Sequence, residues 1–428
     1  MRAAFNVVPP GGTLGILGGG HIGRMTAIAA RALGYRTHVL EMDPACSSED
    51  VAERSVHATR HNVRAAVDLA ANCDVVTVSS EDIAYEMLES VSFRAPLRPS
   101  LPVLALAQHR VRERSWLGAS GFDVVPWREA HNREELVAAV SALGVPCIVK
   151  PQLRRRAELR PLWVTSPGEA ACAWSAMRGL PTVVEAVAQI ATELTVLVAR
   201  TPTGAVATYP PAVGIREHGG LVWATLPGGL PPQVAERAQQ LAARVARELG
   251  VEGLLTVELF LLADGRLVVN ELVPCPHPTY NATELACETD QFDQLVRCIT
   301  GLPLGATDVL QPAVTMVIGS RSRLTPARAH ERPLRIPGVR AHLYASAEGA
   351  TQGTAGHLCA TGATLDEAAS RAMLAATGIG CRHARRPFRP QAQLAASSSR
   401  RRPNTGRPVA VLIGTQDWPP THTQETSP

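Results

Sequence analysis

The sequence predicts an α/β protein of several domains. Three observations point there. A short apolar run at residues 13–17 (TLGIL) leads into GGGHIG at 18–23 and a helical stretch at 24–33. From residue 101 onward, helical periodicities alternate with short β-branched runs. Residues 256–276, TVELFLLADGRLVVNELVPCP, form two β-branched-rich runs around Asp264-Gly265, a dipeptide suited to a two-residue hairpin turn.

The N-terminal unit is Rossmann-like. Its strand ends in a G-x-G-x-x-G loop at a helix N-terminus, where backbone N–H groups favour an anion. Gly18, Gly20 and His21 are its candidate binding residues. Gly34-Tyr35 ends the helix, residues 37–40 form the next strand, and Glu41 follows, where a dinucleotide fold keeps its ribose acid. That loop alone fits a nicotinamide enzyme, but the rest of the chain supplies no dehydrogenase site. Residues 74–78 make a third strand. Residues 108–117 (QHRVRERSWL) read as a basic helix and 133–143 as another, with Asn132 as N-cap. A strand at 147–150 ends on Lys150, and an arginine-rich loop, PQLRRRAELRP, follows at 151–161. Further strands are expected at 163–164, 183–185 and 193–199, and helices at 168–177, 231–249, 283–299 and 365–376, with a smaller β-rich region from 313 to 358. Beyond residue 382 the chain reads as a disordered basic linker, its arginines a solvated tail.

In the hairpin, a turn at Asp264-Gly265 pairs Ala263 with Arg266 and sets Glu258 opposite Glu271, about 5 Å apart. Phe260, Leu262, Leu267 and Val269 then share that face and should keep it dry; the other face is apolar too, as in a sheet covered on both sides. Two carboxylates on a dry face need a cation or a shared proton. Hard oxygen ligands on two strands suit Mg²⁺. The alternative is that one glutamate reaches solvent at a frayed strand end.

Of 42 basic residues only Lys150 is lysine. A chain that accepts arginine wherever a cation suffices has kept one ammonium at a strand end, where a compact point charge suits a phosphate better than a planar guanidinium.

Composition excludes several classes. The 428 residues are 46% hydrophobic and 19% charged, with no run of 18 apolar residues, so a globular chain without a transmembrane helix is expected. The start, MRAAFNVVPPGG, lacks the apolar core of a signal peptide. Nine cysteines without C-x-x-C spacing suggest reduced thiols and a cytoplasmic setting. His218, His342 and His357 show no ligand spacing, and Cys275 reads as packing. A net charge of +4 offers no case for nucleic acid.

The stretches GILGGGHIGRM, AERSVHA, AQHRVRERSWL, ELTVLVAR, LTVELFLLADGRLVVNELVPCPH and QFDQLVRCITGLPLG together resemble the ATP-grasp superfamily, and within it 5-(carboxyamino)imidazole ribonucleotide synthase of purine biosynthesis, over residues 13–380. The resemblance implies an N-terminal pre-ATP-grasp domain (1–100), an ATP-grasp domain whose two lobes close on ATP (101–312), a β-rich C-terminal domain (313–381) and the tail (382–428). It implies that Arg110 and Lys150 contact the nucleotide phosphates and that Glu185 begins the adenine-reading hinge with Val187 beside it. Glu193 would hold the ribose, and Glu258 and Glu271 Mg²⁺, with Asn270 beside them. Bicarbonate would be phosphorylated and its carboxyl group captured by an amine, with Lys150, Arg154 and His277 as candidate catalytic residues. A homodimer is also implied.

The acceptor half departs from the family pattern. The glycine-rich YDGKGQ loop is replaced by LRRRAELRP, without glycine. Cys275 stands for an arginine, residues 278–281 (PTYN) for NSGH, and His21 for a glutamine, while His277 remains. A YGK…RPGRKMGH pattern, whose cations bind the ribonucleotide phosphate, reads YASAEGATQGTAGH and keeps only Tyr344, Gly356 and His357. An altered amine acceptor is the expectation, with Arg154, Arg155 and Arg156 as possible replacement cations. Residues 408–419 (PVAVLIGTQDWP) resemble the first strand and phosphate loop of the partner mutase.

Overall fold

The structure, a computed structural model, describes residues 7–42, 48–59, 61–154, 159–217, 220–319, 331–344, 354–379 and 381. The expected linker, the mutase-like stretch, Arg155, Arg156 and His218 lie outside these.

The N-terminal unit is a parallel four-stranded sheet of β1 (Thr13–Leu17), β2 (Arg36–Glu41), β3 (Arg54–His57) and β4 (Val75–Val78), in the order β3-β2-β1-β4. The helix α1 (Gly20–Ala32) begins inside the glycine loop, earlier than residue 24. Gly18 and Gly20 take φ of +90° and +53°, open to glycine, and this tight entry starts the helix early. Strand β3 was not expected, since RSVH is short and half polar. The helices α2 (Val63–Ala70), α3 (Tyr85–Ser92), α4 (Leu101–Ala107) and α5 (Arg110–Ala119) follow; of these only α5 was expected.

A second, antiparallel sheet contains β5 (Trp127–Ala130), β6 (Cys147–Pro151), β7 (Leu162–Val164) and β8 (Thr182–Ala186), in the order β5-β8-β6-β7. The helices α6 (Arg133–Leu143) and α7 (Ala170–Ala176) close its core of Leu136, Val140, Val149, Val164 and Val184. Asn132 caps α6 as expected, its Oδ1 accepting from Glu135 N at 2.8 Å.

The third sheet has nine strands: β9 (Ile190–Arg200), β10 (Val206–Thr208), β11 (Ala212–Glu217), β12 (Gly220–Leu226), β13 (Gly253–Leu262), β14 (Leu267–Val273), β15 (Ala313–Gly319), β16 (Val339–Leu343) and β17 (Thr354–Thr361). Its path is β14-β13-β9-β11-β12-β15-β17-β16, with β10 on β9, so the strands beyond residue 312 continue the same sheet. Helix α8 (Pro232–Leu249) lays Ala238, Ala242, Val245 and Ala246 on the core formed by β9 and β13.

Residues 283–299 do not form one helix. They divide into α9 (Thr283–Ala286) and α10 (Gln291–Thr300), because the Asp290 carboxylate accepts from Phe292 N at 2.7 Å and Asp293 N at 3.1 Å and so starts a new helix. Two short-range elements complete the fold, α11 (Glu331–Leu334) and α12 (Leu365–Gly378). Among the described residues no helix is long and apolar enough to cross a membrane.

Candidate active site

The hairpin is β13–β14, and Glu258 does face Glu271. The route differs from the expectation. Leu262 N donates to Arg266 O at 2.9 Å and Gly265 takes φ +87°, so the turn holds three residues, 263–265. That shifts the register by one, pairing Leu259 with Val269 and Phe260 with Val268. A bulge at Asn270 restores it before the glutamates. The expected face is therefore wrong in its outer half. Leu267 and Val269 pack with Val257 and Leu259 in the core under α8, not beside Glu258.

Both carboxylates are engaged. Glu258 ion-pairs with Arg216, accepts from Asn270 Nδ2 at 3.3 Å, and lies 3.7 Å from His277 Nε2. Glu271 ion-pairs with Arg154. Burial pushes the Glu258 carboxyl up; Arg216 opposes this, while Glu271 and Glu193 add to it. Burial also acts on Glu271, but Arg154, Arg110 and Lys150 override it and hold that carboxyl low. One glutamate of the pair is thus firmly charged and the other inclined to take a proton or a cation. Beside them the amide oxygen of Asn270 is buried without a hydrogen-bond partner.

Lys150 closes β6 and donates to Glu185 Oε2 at 2.6 Å, while Arg114 Nη2 reaches the other oxygen at 2.8 Å. Burial would raise Glu185, yet Lys150 and Arg114 hold it at about 2. Glu113 accepts from Leu272 N at 2.7 Å and from Arg154 Nη2 at 2.6 Å. Arg114 Nη1 also lies 3.4 Å from Glu113. A chain of alternating charges, its middle four buried, therefore runs Lys150–Glu185–Arg114–Glu113–Arg154–Glu271. It joins the strand-end lysine to the glutamate pair. Arg154 is spent in this chain, with 4% of its side chain exposed and its Nε donating to Ala107 O at 2.7 Å. Arg154, expected as a replacement phosphate cation, is held here by Glu113 and Glu271. Arg110 donates to Pro151 O at 2.7 Å.

Glu193, Arg216, Glu258, Phe260 and Asn270 line one small cleft. Burial pushes Glu193 up, with Arg216 and Lys150 opposing. Val187 lies just past the end of β8, half-buried.

A larger cavity of about 560 Å³ joins the glycine loop, including Gly18, Gly20 and His21, to Glu258, Glu271 and His277. Glu41, Glu81 and Asp82 add carboxylates to its wall, and Arg216 is its one arginine or lysine among the described residues. His277 is neutral there, lowered to about 3 by burial and then by Arg216. Its Nδ1 accepts from Thr279 N at 3.3 Å, which leaves the Nε2 proton facing Glu258. Burial also lowers His21 to about 4, and its ring stacks on Tyr344 at 5.6 Å. Cys275 is buried with its thiol pushed far up by burial and Glu81, so packing is its role, as expected. His342 and His357, which show no ligand spacing in the sequence, are register partners on β16 and β17 and stack at 4.7 Å.

Sequence reasoning missed Glu113, Arg114, Glu81 and Arg216. Arg114 had a signal, since it lies one turn from Arg110 on the same helix. Arg216 had none.

Comparison with known proteins agrees with this geometry. Residues 12–108 match the family described as ribonucleotide synthetase preATP-grasp domain, and residues 115–292 the ATP-grasp domain. N5-carboxyaminoimidazole ribonucleotide synthase of Brucella melitensis is 34% identical over 355 residues, covering 82% of this chain and 96% of the relative. The crystal structure of an N5-carboxyaminoimidazole ribonucleotide synthetase in complex with ADP superposes with a TM-score of 0.79 at 30% identity, covering 86% of this chain and 97% of the other. The Aspergillus clavatus N5-carboxyaminoimidazole synthase, in complex with ADP and 5-aminoimidazole ribonucleotide, gives 0.79 at 26% identity, covering 86% and 99%. The chain therefore belongs to the N5-carboxyaminoimidazole ribonucleotide synthase family and is an ATP-dependent carboxylate–amine ligase of the ATP-grasp fold.

Proposed function

We propose that the enzyme uses ATP to activate bicarbonate or another small carboxylate as an acyl phosphate and passes it to an amine other than 5-aminoimidazole ribonucleotide. In this reading ATP lies between the second and third sheets. Lys150 and Arg110 face its phosphates, the segment from Glu185 to Val187 its adenine, and Glu193 its ribose. Glu258, Glu271 and the unpartnered amide oxygen of Asn270 form an all-oxygen donor set that fits Mg²⁺. Bound there, the ion neutralises charge on the transferred phosphoryl group. His277 turns its Nε2 toward the Glu258 carboxylate at 3.7 Å, and Lys150 with Arg110 fixes the nucleotide. The walls of the cavity keep water from a labile anhydride. A homodimer belongs to the same reading.

The observation that carries the altered acceptor is the charge of the cavity. Among the described residues, five carboxylates line it, Glu41, Glu81, Asp82, Glu258 and Glu271, against Arg216. Where the family pattern sets phosphate-binding cations, this chain reads YASAEGATQGTAGH. A phosphate dianion entering there finds Arg216 as the one arginine or lysine among the described residues and loses charge-assisted bonds of about 1.5–3 kcal/mol each. The second reading is the relatives' own acceptor, favoured by the 34% identity over 82% of the chain.

The test is coupled ADP release by the purified protein with ATP, Mg²⁺ and bicarbonate, with and without 5-aminoimidazole ribonucleotide. The altered-acceptor reading expects no stimulation by the ribonucleotide and stimulation by a phosphate-free amine from a panel. Stimulation by the ribonucleotide overturns it in favour of the second reading.

A further inference from the structure

On the face of the third sheet turned toward α9, three metal-ligating side chains converge beside the large cavity. His357 and Cys359 stand two residues apart on β17 and so share a face. Glu284 reaches them from α9. A ring nitrogen of His357, the Cys359 sulfur and a carboxylate oxygen of Glu284 all lie within 4.8 Å of one another. All three are shielded: His357 is 1% exposed, Cys359 0%, and the Glu284 side chain 8%.

The bonding around them is incomplete in one place. His357 Nδ1 is held by the Tyr344 hydroxyl, while its Nε2 is buried without a hydrogen-bond partner. His342, across the strand pair, bonds both Glu284 oxygens at 2.8 and 3.0 Å and orients that carboxylate, and Arg340 Nη1 adds a contact at 3.3 Å. The Cys359 sulfur lies 3.8 Å from Thr315 Oγ1, and its thiol also bonds the Glu284 carboxylate. A tyrosine on the far nitrogen and a histidine on the carboxylate are the kind of outer partners that fix metal ligands in place.

We propose that Glu284, His357 and Cys359 form a binding site for Zn²⁺ or a similar borderline-soft divalent cation, with His342 and Tyr344 as positioning residues. Thiolate, imidazole and carboxylate together select such an ion over Mg²⁺ or Ca²⁺, which prefer oxygen alone. Bonds of about 2.0–2.3 Å in a tetrahedron put ligand atoms roughly 3.3–3.8 Å apart, so the cluster closes by about 1 Å on the ion. The ion would take the lone pair of the unpartnered His357 Nε2, with the ring proton on Nδ1 facing the Tyr344 oxygen. Binding forms the metal–sulfur bond at Cys359 and releases the thiol proton to solvent. Through Tyr344, whose ring stacks on His21, the site abuts the wall of the large cavity.

Co²⁺ is the probe, because a thiolate ligand gives it a near-ultraviolet charge-transfer band that oxygen ligands at the glutamate pair do not. The full chain is stripped with chelator and titrated with Co²⁺. The expected result is a band saturating at one equivalent, bleached by Zn²⁺, absent in Cys359→Ser and unchanged in Cys172→Ser, whose thiol is exposed. Glu284→Gln, which preserves shape, keeps the band but weakens Co²⁺ binding ~10-fold or more. It also keeps the proposal testable if Cys359→Ser does not fold. No band in the folded wild type overturns the site, as does a band that survives Cys359→Ser or Co²⁺ affinity untouched by Glu284→Gln.

Discussion

Glu185→Gln tests the buried charge chain at its most constrained link. Glu185 has 3% of its side chain exposed and sits between Lys150 Nζ at 2.6 Å and Arg114 Nη2 at 2.8 Å. The substitution keeps the shape and removes the charge, leaving two shielded cations facing one amide. The carboxyl is held at about 2 against an ordinary 4.5. That gap of about 2.5 pH units, at about 1.4 kcal/mol per unit, amounts to ~3 kcal/mol of stability at neutral pH. Broken buried pairs in other proteins cost about 3–5 kcal/mol, which is consistent. Because the folded value is depressed, the stabilisation is complete above the unfolded value near 4.5 and is lost as pH falls toward 2. At pH 3 roughly 1 kcal/mol remains. Urea unfolding followed by tryptophan fluorescence measures this, and Trp127, the register partner of Glu185, reports locally. The expected difference between wild type and variant is ~3 kcal/mol at pH 7 and ~1 kcal/mol at pH 3. A difference under ~1 kcal/mol at pH 7, or one that does not shrink with acid, would refute the charge-chain argument.

Two other substitutions separate function from stability. Glu271→Gln removes the charged member of the glutamate pair and is expected to lower kcat about 100-fold or more while nucleotide binding by calorimetry changes little; unaltered turnover would remove the pair from the reaction. Gly19→Ala places a Cβ onto the Glu41 carboxylate, whereas Gly118→Ala, in the last turn of α5, meets nothing within 4 Å. Thermal unfolding should show Gly19→Ala destabilised by ~1–3 kcal/mol and Gly118→Ala equal to wild type or slightly more stable, and equal behaviour of the two would contradict the close approach.

What could be read from the sequence was local. The βαβ opening, α6 with its Asn132 cap, and Lys150 at the end of β6 rest on periodicity and capping within a few residues. What could not be read depends on distant pairing. The sheet continues past residue 312 because β15 finds β12. Glu113 lies in a stretch that reads as a basic helix, yet it is fully buried because Arg154 and Leu272 N, far along the chain, converge on it. His342 and His357 carry no ligand spacing in sequence and become neighbours only through the β16–β17 register. Tertiary charge networks of this kind have no period to detect.

The hairpin shows why a site can be legible when its scaffold is not. The expected two-residue turn is a three-residue turn, an error of one that by itself would put Glu258 across from Asn270. The bulge at Asn270 cancels it. Asn270 can take the bulge because its amide bonds Glu258 and because Val269 N is drawn off the ladder to Asp123 O at 2.8 Å. The inference from glutamate spacing to glutamate pairing thus held while the faces between turn and bulge came out reversed. Those outer residues serve the core under α8, where either apolar face packs. The glutamates answer to a stricter condition. Two carboxylates this shielded need Arg154, Arg216 or a metal ion between them and each other's charge. A register slip that buried Glu271 without Arg154 would leave an uncompensated charge in the interior, and that cost selects the observed pairing over its neighbours.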